Sequence, residues 1–118
     1  MDITKENVKV FTWKPHGLDI EPSAALARSM IDQGYLKDYV VGAPGVLDGK
    51  IIVDAACGRG PKTCALASLG AARTIGVDGS VPSISAATEL ASIMGIANVE
   101  FHVGLLEDLR SKLDSLGV

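Results

Sequence analysis

From Lys50 onward, short apolar runs alternate with longer stretches of helical periodicity. Ile51-Ile52-Val53 is a continuous apolar run, the pattern of a strand buried on both faces of a parallel sheet. A glycine-containing loop follows, then a helix over Lys62 to Leu69 with Gly70 as its stop. Thr74-Ile75-Gly76-Val77 predicts a second buried strand. Ser80 is placed to cap a helix reaching Met94, with Ile84, Ala87, Leu90, Ala91 and Met94 on its inward face and Gly95 closing it. Val99 to Val103 alternates as a third strand, and residues 107–116 start a further short helix. Such alternation is a βαβαβ unit, one half of a doubly wound α/β sheet.

The stretch before Lys50 follows a different pattern. Its one long periodic segment begins after Glu21-Pro22, with Pro22 suited to a first helical position and Leu26, Ala27, Met30 and Ile31 expected on one face. Gly34 is a plausible stop, Val40 to Gly45 is turn-rich, and Asp48-Gly49 predicts a turn. Residues 1–48 are therefore expected to form a helical leader. Residues 49–118 are expected to form a partial Rossmann-like domain: α/β, three layers, a parallel sheet in the order 3-2-1.

Composition narrows the function classes without choosing one. The chain has 118 residues, 47% of them hydrophobic and 21% charged, which describes a single globular domain with a real core. A net charge of −3 offers no polycationic face, so nucleic-acid binding is not indicated. Cys57 and Cys64 form no CxxC pair, and His16 and His102 lie far from them, so neither a zinc site nor a disulfide framework is expected. The opening residues, Met1 to Glu6, do not resemble a signal peptide, and no apolar run reaches membrane-spanning length. A reduced, cytoplasmic protein with no membrane partner is the expectation.

The loop after the first strand carries the chemistry. Gly58 and Gly60 permit a tight turn and a close approach of backbone to ligand, and the helix starting near Pro61 aims free N–H groups at the same place. Asp54 ends the first strand and Asp78 the second, where a carboxylate can accept both ribose hydroxyls. Thr63 stands where a dinucleotide fingerprint has its third glycine. A phosphate-binding P-loop fails too, because Pro61 precedes Lys62 and Ala56 replaces the first glycine. An extra carboxylate at Asp54 would repel a pyrophosphate, whereas an amino-acid end carrying an ammonium and a carboxylate suits it. S-adenosylmethionine has such an end, together with a nucleoside.

These residues also carry a resemblance. Val53-Asp54-Ala55-Ala56-Cys57-Gly58-Arg59-Gly60 resembles the first motif of class I (Rossmann-like) S-adenosylmethionine-dependent methyltransferases. Ile75-Gly76-Val77-Asp78-Gly79-Ser80 resembles their second, acidic motif, and Asn98 to Leu109 is similar to their third strand and adenine-side loop. The resemblance implies S-adenosyl-L-methionine as cofactor and transfer of its methyl group to an acceptor that the sequence does not identify. It implies that Asp54 orients the methionine amino group, directly or through water. Ala56, Cys57, Gly58 and Gly60 would line the methionine and ribose, and Asp78 would bind the ribose hydroxyls. Gly79 and Ser80 would lie beside the adenine. The chain departs from the pattern after the third strand, where Leu105 follows Gly104 in place of a frequent aspartate, leaving Leu105 and Leu106 as apolar ring contacts.

Other residues have plainer readings. Asp54 and Asp78 could serve only as caps, Cys57 is expected to be a packed loop residue and Cys64 a buried helix residue. Lys62 is expected to be solvated, and His102 to be a hydrogen-bonded structural histidine. Trp13, Tyr35 and Tyr39 suit either a lid over the cofactor or a filler between leader and sheet. The family's sheet continues past a third strand, so the first strand is expected to have an open edge here. That edge predicts a fragment, self-association, or a complementing C-terminal half, and no catalytic residue can be named. Two further functions stand beside the methyltransferase: a non-catalytic Rossmann-like half acting as an assembly or regulatory module, and an NAD-dependent oxidoreductase.

Overall fold

The structure, a computed structural model, describes residues 20–32, 42 and 45–118. Three strands form one parallel sheet in spatial order β1-β2-β3: β1 (Ile51–Ala55), β2 (Arg73–Asp78) and β3 (Val99–Val103). This is the expected 3-2-1 order read from the other edge. Helices follow in sequence: α1 (Glu21–Asp32) precedes the sheet, α2 (Pro61–Ser68) joins β1 to β2, and α3 (Val81–Met94) joins β2 to β3. A 3-10 turn at Leu106–Asp108 then leads into α4 (Leu109–Ser115). The α/β class and the βαβαβ unit are thus as the hydrophobic pattern predicts.

Strand register explains which side chains meet which helices. Thr74, Gly76 and Asp78 pair with Val99, Phe101 and Val103, and alternation puts all six on one face of the sheet. On that face Phe101 packs with α1, α2 and α3 around Ala24, Ala27, Cys64, Leu90 and Ala91. A second cluster of Leu47, Ala65, Leu66 and Ala71 closes the far end, with Met30, Ile31, Ile52 and Leu69 against it. The alternate residues Ile75 and Val77 face the other way and are fully buried. Gly104 brings Val77 and the Lys112 stem of α4 together there.

Two expectations change. The inward face of α1 is lined by Ala24 and Ala27, while Leu26 is 49% exposed. Small residues there let α1 lie close against α2, and Leu26 falls outside the contact. Nor is β1 buried on both faces: Ile51 is 51% exposed, and Ile52 and Val53 are half-buried. The reason is position, since β1 pairs with β2 alone among the described residues. Trp13, Gly34, Tyr35, Tyr39 and the Val40–Val41 part of the turn-rich stretch lie outside the described residues.

The helix boundaries follow local chemistry. Ser80 is a true N-cap of α3: its Oγ accepts the Ser83 N–H at 3.3 Å, with Pro82 in the first turn where no donor is needed. Gly95 ends α3 in the left-handed conformation. Asn98 secures the entry to β3, donating from Nδ2 to the carbonyls of Ala67 and Ala71 at 2.9 and 2.6 Å.

Candidate functional site

The carboxyl ends of β1, β2 and β3 converge on Asp78. Its Oδ1 accepts the Gly58 N–H at 3.1 Å, and Oδ2 accepts the Ser80 N–H at 3.0 Å. Its carbonyl accepts the Gly104 N–H at 3.0 Å. One half-buried residue therefore ties together the loops that follow all three strands. Each carboxylate oxygen has more than one lone pair, so both retain acceptor capacity toward a ligand hydroxyl.

The first loop is shaped by backbone geometry. Cys57 N–H donates to the Val77 carbonyl at 3.1 Å, which continues the β1–β2 pairing past the end of the strand. Ala56, just before it, has φ +59°, a left-handed conformation uncommon outside glycine. The sequence reading gave Ala56 no such special geometry. Gly60 and Gly58 then play different parts. A Cβ on Gly60, at φ +86°, would lie 2.8 Å from both Ala87 Cβ and Phe101 Cζ, so this glycine lets the loop close onto α3 and β3. A Cβ on Gly58 would meet nothing within 4 Å, so its open side faces free space at the strand ends.

Phe101 is the residue that sequence reasoning undervalued. Its ring also closes on Gly76, where a Cβ would lie 2.6 Å from Cδ1. The ring fills the space under both glycines and sets the height of the loop above the sheet. The paired glycines at 60 and 76 opposite an aromatic at 101 were the available signal.

Asp54 is buried and points at the first turn of α2. Its Oδ2 accepts the Thr63 hydroxyl at 2.7 Å, and Oδ1 lies 3.7 Å from Lys62 Nζ. Thr63, noted in the sequence only as a missing glycine, is the acid's hydrogen-bond partner. Lys62 is half-exposed as expected but paired, so it is not simply solvated. Cys57 is pushed up to about 12, first by burial and then by the charges of Asp78 and Asp54, so it stays a thiol. Cys64, buried in α2, is raised to about 11 by burial. Neither is an activated nucleophile.

On the third side, Leu105 stands over Gly79: a Cβ there would lie 3.5 Å from Leu105 Cδ2. Leu106, beginning the 3-10 turn, is largely exposed, and Ser80 is fully buried with its hydroxyl engaged as the α3 cap. Asp54, Ala56, Cys57, Gly58, Asp78, Gly79 and Leu105 thus gather at the ends of the strands, with Gly60 and Ser80 supporting from beneath. His102 lies in β3 beside Val77, its Nε2 2.7 Å from Glu100 Oε2. That agrees with the structural reading.

The arrangement has relatives. A family model described as a methyltransferase domain matches residues 47–116. Rice (Oryza sativa subsp. japonica) probable protein arginine N-methyltransferase 3 is 39% identical over 59 residues, half of this chain and 10% of that protein. The Arabidopsis thaliana protein of the same name is 30% identical over 80 residues, 68% of this chain and 13% of that one. The chain therefore spans about a tenth of the length of these curated relatives. Among solved structures, Haemonchus contortus phosphoethanolamine N-methyltransferase 1, in complex with phosphoethanolamine and S-adenosylhomocysteine, superposes with a TM-score of 0.57 at 22% identity. The match covers 88% of this chain and 21% of that one. Magnesium protoporphyrin IX methyltransferase from Synechocystis PCC 6803, with bound SAH, gives 0.50 at 20% identity over 87% of this chain and 47% of that one. These superpositions show the shared fold, and the family match covers more than half of the sequence: the chain belongs to the methyltransferase domain family.

Proposed function

We propose that residues 49–118 bind S-adenosylmethionine, the cofactor of this family, and serve a methyl transfer. The observation that carries the reading is Asp78, which joins three loops while keeping acceptor capacity at the strand ends. In open parallel α/β sheets this is where ligands bind. The donor set fits the cofactor: an acid for the ribose hydroxyls, an open Cα at Gly58, and Leu105 over Gly79 as an apolar wall. Asp54, Ala56 and Cys57 lie along the methionine side in this reading, with Leu106 and the capped Ser80 bordering the adenine. Gly60 contributes from below, by letting the loop close. When bound, the cofactor supplies an activated methyl group. The residues of this chain bind and orient it, and no side chain here is assigned a proton-transfer role.

Thr63 favours this cofactor over a dinucleotide. It fills the place of a third glycine and anchors Asp54 beside the loop, where a pyrophosphate would meet a negative charge. Residues 1–48 would act as a leader, of which α1 packs on the domain through Ala24 and Ala27. Among the described residues no helix is long and apolar enough to cross a membrane. Both cysteines are free thiols, which suits the cytoplasmic placement in this proposal. Among the described residues β1 pairs with β2 alone, and its other edge would accept a further strand, from a second copy or a complementing polypeptide.

A thermal-shift comparison tests the reading. A ligand at 100 times its dissociation constant stabilises the folded state by about 2.7 kcal/mol. S-adenosylhomocysteine is expected to raise the melting temperature and NAD to leave it unchanged. Stabilisation by NAD alone would overturn the proposal.

A further inference from the structure

Asp54, at the end of β1, and Lys62, in the first turn of α2, form an ion pair across the first loop. Asp54 is buried and held at Oδ2 by Thr63, so its carboxylate is fixed in place. Lys62 Nζ stops 3.7 Å from Oδ1, beyond the distance of an N–H···O hydrogen bond. The lysine side chain is 56% exposed, so its ammonium can move into solvent while the acid cannot. A held, buried anion and an exposed cation on a flexible stem, flanking the loop that carries Gly58, are complementary to an amino-acid zwitterion.

We infer that Asp54 and Lys62 form a clamp for the amino-acid end of the bound nucleoside, with Lys62 taking its carboxylate and Asp54 Oδ1 its ammonium. The inference rests on the cofactor reading above and deepens it. The family resemblance gave a role to the acid alone, while Lys62 had been expected to point into solvent. On ligand binding the pair opens: the ligand's ammonium replaces Lys62 at Oδ1, and Lys62 turns to the ligand carboxylate. The exchange keeps every charge paired, as a buried carboxylate requires. Lysine suits the moving part, being a point charge on a flexible stem.

The test crosses a protein change with a ligand change in the full chain. S-adenosylhomocysteine, its decarboxylated counterpart and 5′-methylthioadenosine are titrated calorimetrically into the wild type and Lys62→Met. For the wild type, removing the ligand carboxylate is expected to weaken binding about 10-fold, as for loss of one charge-assisted contact. For Lys62→Met, the roughly 10-fold preference for the ligand that carries the carboxylate should disappear. Decarboxylated S-adenosylhomocysteine, whose ammonium no longer has to displace Lys62 from Asp54, should bind at least as tightly as to the wild type, and 5′-methylthioadenosine should be unaffected. Equal losses for all three ligands, or a preference for the ligand carboxylate that persists undiminished in Lys62→Met, would overturn the clamp while leaving the cofactor site standing. If none of the ligands binds the folded wild type, the cofactor reading itself fails and the clamp with it. The melting temperature of Lys62→Met without ligand separates a folding defect from a binding defect.

Discussion

The carboxylate of Asp78 accepts the backbone N–H of Gly58 at 3.1 Å across 20 residues of sequence. This bond fixes the first loop to the end of the second strand before any ligand arrives. A methyl donor bound there would meet a preformed surface, and preorganisation of this kind reduces the ordering cost of binding.

Gly58 and Gly60 should respond differently to alanine. Gly60→Ala combines a left-handed backbone with 2.8 Å approaches to Ala87 and Phe101, and is expected to cost about 2–4 kcal/mol. Gly58→Ala has the backbone penalty alone, about 1 kcal/mol. Urea unfolding of the two variants checks the difference. Equal destabilisation would contradict the packing role assigned to Gly60.

Thr74 is fully buried in β2, and its Oγ1 has no hydrogen-bond partner among the described residues. Valine has nearly the same shape without the polar atom. Thr74→Val is expected to raise stability by roughly 1 kcal/mol. A loss of stability would mean that the hydroxyl is satisfied in solution.

Cys57 should be slow to alkylate in the native state. Its thiol is raised from 9.0 to about 12, so at pH 8 the thiolate fraction falls on the order of 1000-fold. The native chain holds this proton more tightly than the unfolded chain. The contribution to stability is therefore complete below pH 9 and is lost as pH rises from there to about 12. Iodoacetamide labelling should accelerate sharply on adding denaturant. Rapid native labelling at pH 8 would contradict the half-buried, acid-flanked environment.

Glu100 acts in the opposite direction on the acid side. The Arg73 guanidinium, donating at 2.5 Å, holds its carboxyl below the usual range against the opposing effect of burial, and His102 adds to the lowering. A lowered folded value gives stability that is present above the unfolded pKa and lost as pH falls through the folded one. Both partners are about one-third exposed, so the effect is screened and small. Glu100→Gln should lower the melting temperature by at most a few degrees at neutral pH and reduce the slope of the acid limb. An unchanged acid limb would contradict the pairing.

Much of this was legible in the sequence because local chemistry and tertiary structure agree. Ser80, Gly95 and the apolar positions of α3 mark a helix that forms as read. Asp54 and Asp78 stand out because each follows an apolar run and they flank a Gly-x-Gly loop, a spacing that is readable without the fold. What escaped were relations between distant residues. That Gly60 and Gly76 both make room for Phe101 depends on β3 lying beside β2, which no local pattern states. Thr63 was visible only as a departure from a fingerprint, because its partner Asp54 lies nine residues away across a turn. The exposure of Ile51 follows from which strands are neighbours, not from the apolar character of its run.

The most direct test of the central claim is a calorimetric titration of the chain with S-adenosylhomocysteine, repeated on Asp78→Asn. The wild type is expected to bind one ligand per chain saturably. Asp78→Asn should bind roughly 10- to 100-fold more weakly, because in the proposed site a neutral amide would replace the charged acceptor for the ribose. A folded wild-type sample that shows no saturable binding, or an Asp78→Asn variant that is folded and binds equally well, would contradict the account.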